Sequence, residues 1–195
     1  MAPTIHDISQ EVFSCAIYPG DPRPECQRLC STEAGDAYNL TAFSMCAHNG
    51  THIDAPFHFL KNGKTVEQLE LSIFVGDCFV ARHEGEVSAW DAAVILRKAA
   101  GISRILIAGA VTVTEEAAEV FAAHGICLIG NESQSVGPEN APMAVHKILL
   151  SQGIALLEGI VLKNIPEGRY FLSAAPLNLG GADGAPCRAY LMEKE

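Results

Sequence analysis

The chain has 195 residues, of which 49% are apolar and 18% charged, with a mean hydropathy of +0.19; these values exclude a disordered chain and suit one folded domain over 1–195. A formal net charge of −10 with no cluster of Lys or Arg argues against nucleic acid as a partner, and no apolar run approaches the roughly 20 residues a membrane helix needs. The segment MAPTIHDISQEVFSC lacks the positive and apolar regions of a secretory leader, so a cytoplasmic location is expected, and the cysteines at 15, 26, 30, 46, 78, 127 and 187 read as reduced thiols, too scattered for a disulfide framework.

In chain order, Ile17-Tyr18 enters the turn Pro19-Gly20-Asp21-Pro22, Leu40 to Ala47 has strand character, and Ile73 to Ala81 predicts a further strand. Ser88-Ala-Trp-Asp91 is a capping-box-like start for a helix to about Ala100, stopped by Gly101. Arg104 to Ala108 is a continuous apolar strand. Thr114 caps a second helix, with Glu115 and Glu116 at the positive end of its dipole, and Gly125 ends it. Ile126 to Ile129 predicts a strand, Ala144 to Gln152 a third helix closed by Gly153, and Ile154 to Leu157 another strand, before strand pattern returns over Arg169 to Leu177 and Cys187 to Met192. Such β-α-β-α-β succession predicts a partly parallel sheet covered by helices, in the α/β class.

The densest chemical signal is His48-Asn-Gly-Thr-His52-Ile-Asp54-Ala-Pro-Phe-His58, which holds three of the seven histidines and a carboxylate within eleven residues. Imidazole nitrogens with a carboxylate oxygen form the ligand set of borderline divalent ions such as zinc and manganese. The helical zincin motif is excluded because Asn49 stands where its Glu belongs, and Gly50, Thr51 and Pro56 oppose a helix. An extended segment is expected instead, with the four side chains on one parity facing one cavity. Downstream, His146 lies on the third helix, and Glu158 ends an otherwise apolar strand, where a carboxylate must be solvated, paired or metal-bound. Ser133 and Ser135 lack a nucleophile elbow and read as turn chemistry and site lining, while Arg188 reads as the partner of a carboxylate.

HNGTHIDAPFHF resembles the HxGTHxDxPxHF signature of the cyclase family that includes bacterial kynurenine formamidase. Ile5-His-Asp-Ile-Ser9 with Tyr18-Pro-Gly-Asp21, His146 with Glu158 twelve residues later, and Gly180-Gly-Ala-Asp-Gly-Ala-Pro-Cys-Arg188 are similar to that family's other segments, so the resemblance spans nearly the whole chain. It implies a swivelling β/β/α-type fold, a mixed sheet with helices packed on it, and a site for one or two divalent ions per subunit, zinc first and manganese second. By the same resemblance His48, His52 and Asp54 bind one ion, Asp54 bridges, His146 binds the second and Glu158 reaches both. His58 matches the family's acid/base histidine. Members are commonly homo-oligomers, so a homodimer or homotetramer is expected.

Metal-activated water would supply the nucleophile for amide hydrolysis, a second cation would hold the oxyanion, and an imidazole can move the proton. The expected activity is that of an arylformamidase, removing formate from N-formyl-L-kynurenine in tryptophan catabolism. Hydrolysis of another amide or a lactam, as by isatin hydrolase-like members, is the alternative within the same chemistry, and a metal-binding protein without catalysis is the alternative outside it. The chain departs from the family at Tyr18, where Trp is typical and substrate contact is expected, and at Asn131-Glu132, where relatives carry an Asp-containing loop.

Overall fold

The computed structural model describes residues 3–193, so Met1, Ala2, Lys194 and Glu195 of the expected 1–195 unit lie outside the described residues. The strands in chain order are β1 (Ile5–Asp7), β2 (Glu25–Cys30), β3 (Leu40–Ser44), β4 (His52–Asp54), β5 (Val75–Arg82), β6 (Gly85–Val87), β7 (Arg104–Ala108), β8 (Val111–Val113), β9 (Leu128–Asn131), β10 (Ala155–Glu158), β11 (Gly168–Ser173), β12 (Gly184–Pro186) and β13 (Tyr190–Glu193). Three α-helices accompany them among the described residues: α1 (Ala89–Ala99), α2 (Glu115–Ala123) and α3 (Met143–Ser151). One nine-stranded mixed sheet, in the order β1-β13-β11-β5-β7-β9-β10-β4-β12, carries the fold, and β2 pairs only with β3 as a separate hairpin. No helix of the described residues is long and apolar enough to cross a membrane.

The centre of the sheet is parallel, β5 to β7 to β9 to β10, and both of its faces are covered. Phe79, Ile105, Ile107, Ile129 and Leu156 point into a core shared with α1, α2 and α3. The alternate residues Val80, Leu106, Leu128, Ala155 and Leu157 point the other way, against Ile53, Phe74, Ile160, Leu172 and Leu191. Period-two alternation with both faces apolar explains why these strands read as unbroken apolar runs. Burying a side chain of this size contributes about 1.5–3 kcal/mol by area transfer, so the first layer holds the sheet against its helices and the second covers its other face.

The helix starts follow their caps. Ser88 Oγ accepts from the Asp91 amide and Asp91 Oδ2 accepts from the Ser88 amide at 3.0 Å, a reciprocal box, and Thr114 Oγ1 accepts from the Ala117 amide. The end of α1 differs from expectation: Ala100 (φ 49), one residue before the expected Gly101 (φ 88), adopts the left-handed conformation. Further differences concern strands. β1, β2, β6 and β8 have no counterpart in the sequence reading: three of them are only three residues long, and β2 lies in a hairpin exposed on both faces, with no apolar alternation to show. The tail resolves into β11, β12 and β13 rather than two longer strands.

The expected extended run through the histidine motif is corrected. Only His52–Asp54 is strand; Ala47–Thr51 turns, and Pro56–His58 is a 3-10 turn started by Pro56. The proline presets the backbone angle of such a first turn and lacks the donor that a continued strand would use.

Candidate metal centre

Strand register builds the centre. In the antiparallel pair of β10 with β4, Glu158 lies opposite His52 and Leu156 opposite Asp54, so His52, Asp54 and Glu158 share the sheet face that α3 covers. Ile53 and Leu157 face the apolar core on the other side. From α3, His146 reaches down over the carboxyl ends of the parallel strands, the usual place for a site in such sheets. His52, Asp54, His146 and Glu158 are each 1–2% exposed.

The motif's small residues shape the turn that brings in His48. Thr51 Oγ1 donates to the Gly159 carbonyl at 2.7 Å and accepts from the Gln10 amide at 2.9 Å. Gly159, at φ +67, sits so close to this turn that a Cβ there would lie 2.2 Å from the Gly50 carbonyl oxygen. A side chain at residue 159 would push the end of β10 away from the Gly50 turn.

Each imidazole is oriented by an outer acceptor. His52 Nδ1 donates to the Gly50 carbonyl at 3.0 Å, and His146 Nδ1 to the Pro142 carbonyl at 2.8 Å. Those bonds leave Nε2 of both rings turned inward, where His52 Nε2 lies 3.3 Å from Asp54 Oδ1 and 3.6 Å from Glu158 Oε2, and His146 Nε2 lies 3.3 Å from Glu158 Oε1 and 3.5 Å from Asp54 Oδ2. His48 Nδ1 lies 2.8 Å from Asp54 Oδ1. Lone pairs facing carboxylates at these distances require positive charge between them, a proton or a cation. Asp54 Oδ2 is buried with no hydrogen-bond partner, the orphan that a metal ion would satisfy.

Electrostatics agree. Burial opposes charge on His52 and His146, but hydrogen bonding to Asp54 and Glu158 outweighs it and raises both to about 10. For Asp54, burial favours the neutral acid, yet His146, His48 and His52 hold the carboxyl well below its ordinary value. Among the described residues three overlapping donor sets result, His48 with His52 and Asp54, Asp54 with His146 and Glu158, and, less buried, His48 with His58 and Asp183, each with ligand atoms within 4.8 Å of one another. Nitrogen and carboxylate oxygen donors with outer N–H groups anchored on carbonyls fit a divalent cation.

Residues 6–138 match the Cyclase family model, described as "Putative cyclase". The chain belongs to the Cyclase family. A relative named kynurenine formamidase from Erythrobacter litoralis (strain HTCC2594) is 34% identical over 203 residues, covering 97% of this chain and 94% of its own. A solved structure described as a potential metal-dependent hydrolase with cyclase activity superposes with a TM-score of 0.85 at 29% identity, over 100% of both chains. Isatin hydrolase A from Labrenzia aggregata, at 20% identity, TM-score 0.87 and coverage of 100% of this chain and 95% of its own, shares the fold. The swivelling β/β/α arrangement expected from the sequence is the fold of this Cyclase chain.

The centre opens into a cavity of about 230 Å³ whose lining includes Tyr18, Asp21, His58, Phe59, Gln134 and Ser135. Tyr18 lies on this wall, and its hydroxyl donates to the Glu139 carbonyl at 2.5 Å. His58 stacks on His48, ring centroids 4.0 Å apart, and packs edge-on against Phe59. Asn131 and Glu132 are tied up locally: Asn131 Nδ2 donates to Ser133 Oγ, and the Glu132 carboxylate accepts from the Gly109 and Leu162 amides, both at 2.7 Å. Neither lines the cavity, whereas Ser135 does. Arg188 is paired with Asp7 at 2.9 Å, away from the centre.

Sequence reasoning missed Asp183. It lies in the Gly-rich loop before β12, and its Oδ2 accepts from His48 Nε2 at 2.9 Å and His58 Nδ1 at 3.1 Å. The only sequence signal was its place in a family-like loop; nothing in spacing links residue 183 to residues 48 and 58.

Proposed function

We propose that this Cyclase-family chain is a metal-dependent amidohydrolase, an arylformamidase that cleaves the formamide C–N bond of N-formyl-L-kynurenine to give L-kynurenine and formate in tryptophan catabolism. One observation carries the reading: three imidazoles anchored on outer acceptors turn bare nitrogens onto two buried carboxylates, one with an orphaned oxygen. The near full-length similarity to kynurenine formamidase supports the substrate.

We assign His48, His52, Asp54, His146 and Glu158 to holding one or two divalent ions per subunit, zinc in the first place and manganese in the second. A divalent cation bound there would supply Lewis acidity, making a nucleophile available from water at neutral pH and polarising the substrate carbonyl. His58 is placed to move protons at the cavity: it takes one from the attacking water as the new C–O bond forms, and returns one to the leaving nitrogen as the C–N bond breaks. The Tyr18 and Phe59 rings offer walls for an aromatic amine. A second reading, hydrolysis of another amide or a lactam, is favoured by the bond from the Tyr18 hydroxyl to Glu139, which fixes that ring against the loop. We also propose a homodimer or homotetramer in the cytoplasm; the exposed Leu29, Leu40 and Phe43 of the β2–β3 hairpin support self-association.

Purified protein loaded in turn with zinc and manganese, beside a chelated control, is assayed for N-formyl-L-kynurenine hydrolysis. Chelator-sensitive turnover supports the arylformamidase; metal uptake with turnover of a lactam such as isatin instead supports the second reading. Metal uptake without turnover of any amide would leave a binding protein and overturn both.

A further inference from the structure

One carboxylate stands between the two parts of this centre. Asp183 Oδ2 accepts from Nε2 of His48 and from Nδ1 of His58, two rings stacked with centroids 4.0 Å apart and an interplanar angle of 30°. The backbone fixes its place: the Asp183 carbonyl accepts from the Ala55 amide at 2.9 Å, and the following Gly184 pairs with Asp54 in the β12–β4 register. Gly184 also permits the approach, since a Cβ there would lie 2.8 Å from His48 Cε1 and 2.6 Å from the Ile53 carbonyl oxygen. The Asp183 backbone therefore cannot drift from the two rings without moving β12 off β4.

A carboxylate oxygen with two lone pairs can accept both N–H groups at once, and each bond it accepts fixes a tautomer. His48 lies between two carboxylates, Nε2 toward Asp183 and Nδ1 toward Asp54, so a cation taken up at Nδ1 would leave its remaining proton on Nε2, where Asp183 accepts it. On His58 the proton is held at Nδ1, which leaves Nε2 bare, the form an imidazole needs in order to accept a proton. We infer that Asp183 is a positioning residue that sets both tautomers with one oxygen, coupling the orientation of a metal-holding imidazole to the readiness of the acid/base imidazole. The assignment of His58 as the acid/base group and of His48 as a metal-holding imidazole rests on the function proposed above; the His58 tautomer rests on geometry alone.

Nitrogen-15 imidazole spectra of the metal-free wild-type protein test the geometry without any activity. His58 is expected as the Nδ1–H tautomer or as the imidazolium bonded to Asp183; a His58 found as the Nε2–H tautomer would overturn the inference. Asp183→Asn keeps the shape but removes the charge, so its oxygen accepts the two N–H groups more weakly, and the flipped amide turns an N–H₂ against them. It is expected to weaken metal affinity by about 10–100-fold, the range for partners of metal-holding histidines, measured by chelator competition. At saturating metal, kcat is expected to fall by about 10²–10⁴-fold with KM within about threefold, as for a carboxylate that orients a catalytic imidazole.

The double variant separates positioning from general damage: Asp183→Asn in a His58→Ala background should lower kcat no further. Full additivity, or unchanged metal affinity together with unchanged kcat, removes Asp183 from this role. If the protein hydrolyses no amide, the spectra and the chelator competition still decide the positioning claim, so it can fail or stand apart from the proposed activity.

Discussion

β10 contains, side by side, two ways of burying a side chain. Leu157 points into the apolar layer beneath the sheet, where an apolar side chain of similar volume and shape would serve. Glu158, the next residue, points to the opposite face among His52, His146 and the Val136 amide, which donates to its Oε1 at 2.7 Å. The first contributes to stability and tolerates shape-conserving change. The second is folded into place at the expense of desolvation, and returns it only when positive charge fills the chamber. What differs between adjacent residues is parity on one strand.

The largest break in that contrast should come from Glu158→Gln. An amide there keeps the volume but removes the charge, so metal stoichiometry by elemental analysis is expected to fall below one ion per chain and activity to drop more than the roughly 10²–10⁴-fold typical of losing an acid–base group. Unchanged stoichiometry and turnover would take Glu158 out of the centre. Next, His58→Ala is expected to reduce kcat by about 10²–10⁴-fold with metal content retained; if the metal goes too, His58 is a ligand and the acid/base assignment is wrong.

On the apolar side, Leu157→Ala should remove about 2–5 kcal/mol of stability, a fall of roughly 4–20 °C in Tm, while the folded fraction still takes up metal. Loss of metal from folded protein would show that the two faces are not independent. The smallest effect concerns pH. In the metal-free protein His52 and His146, raised to about 10, contribute stability that is fully present below their unfolded value near 6.5 and is lost as pH climbs through about 10. The Tm of the metal-free form should therefore decline between pH 7 and 10 more steeply than that of the loaded form, in which the ion replaces those protons. A flat metal-free profile by calorimetry would contradict it.

The parallel strands and the three helices were legible because burial on both faces writes an unbroken apolar run, and because Ser88, Thr114 and the glycines after each helix mark their ends. The donors were legible because histidines rarely crowd by chance. What escaped was the geometry between donors. Parity put His48 and His58 on the strand with His52, whereas a turn at Gly50 and a 3-10 turn at Pro56 bring them in. Asp183 escaped because its partners are 125 and 135 residues away, a relation set by the β12–β4 pairing and by no local period. The hairpin strand β2 escaped for the opposite reason, its exposure leaving no pattern to read.

β4 is flanked by β10 on one side and β12 on the other, so the floor beneath the centre joins residues 52–54, 155–158 and 184–186. During synthesis the histidine motif emerges early but has neither neighbour until most of the chain has followed. Pairings of such long sequence separation are slow to form. Metal capture is thereby expected to be a late event: a ribosome-bound fragment ending before residue 183 presents His48 and His52 without Asp183 or the second edge of β4, and its hold on an ion should be loose enough to be exchanged until the final strands dock.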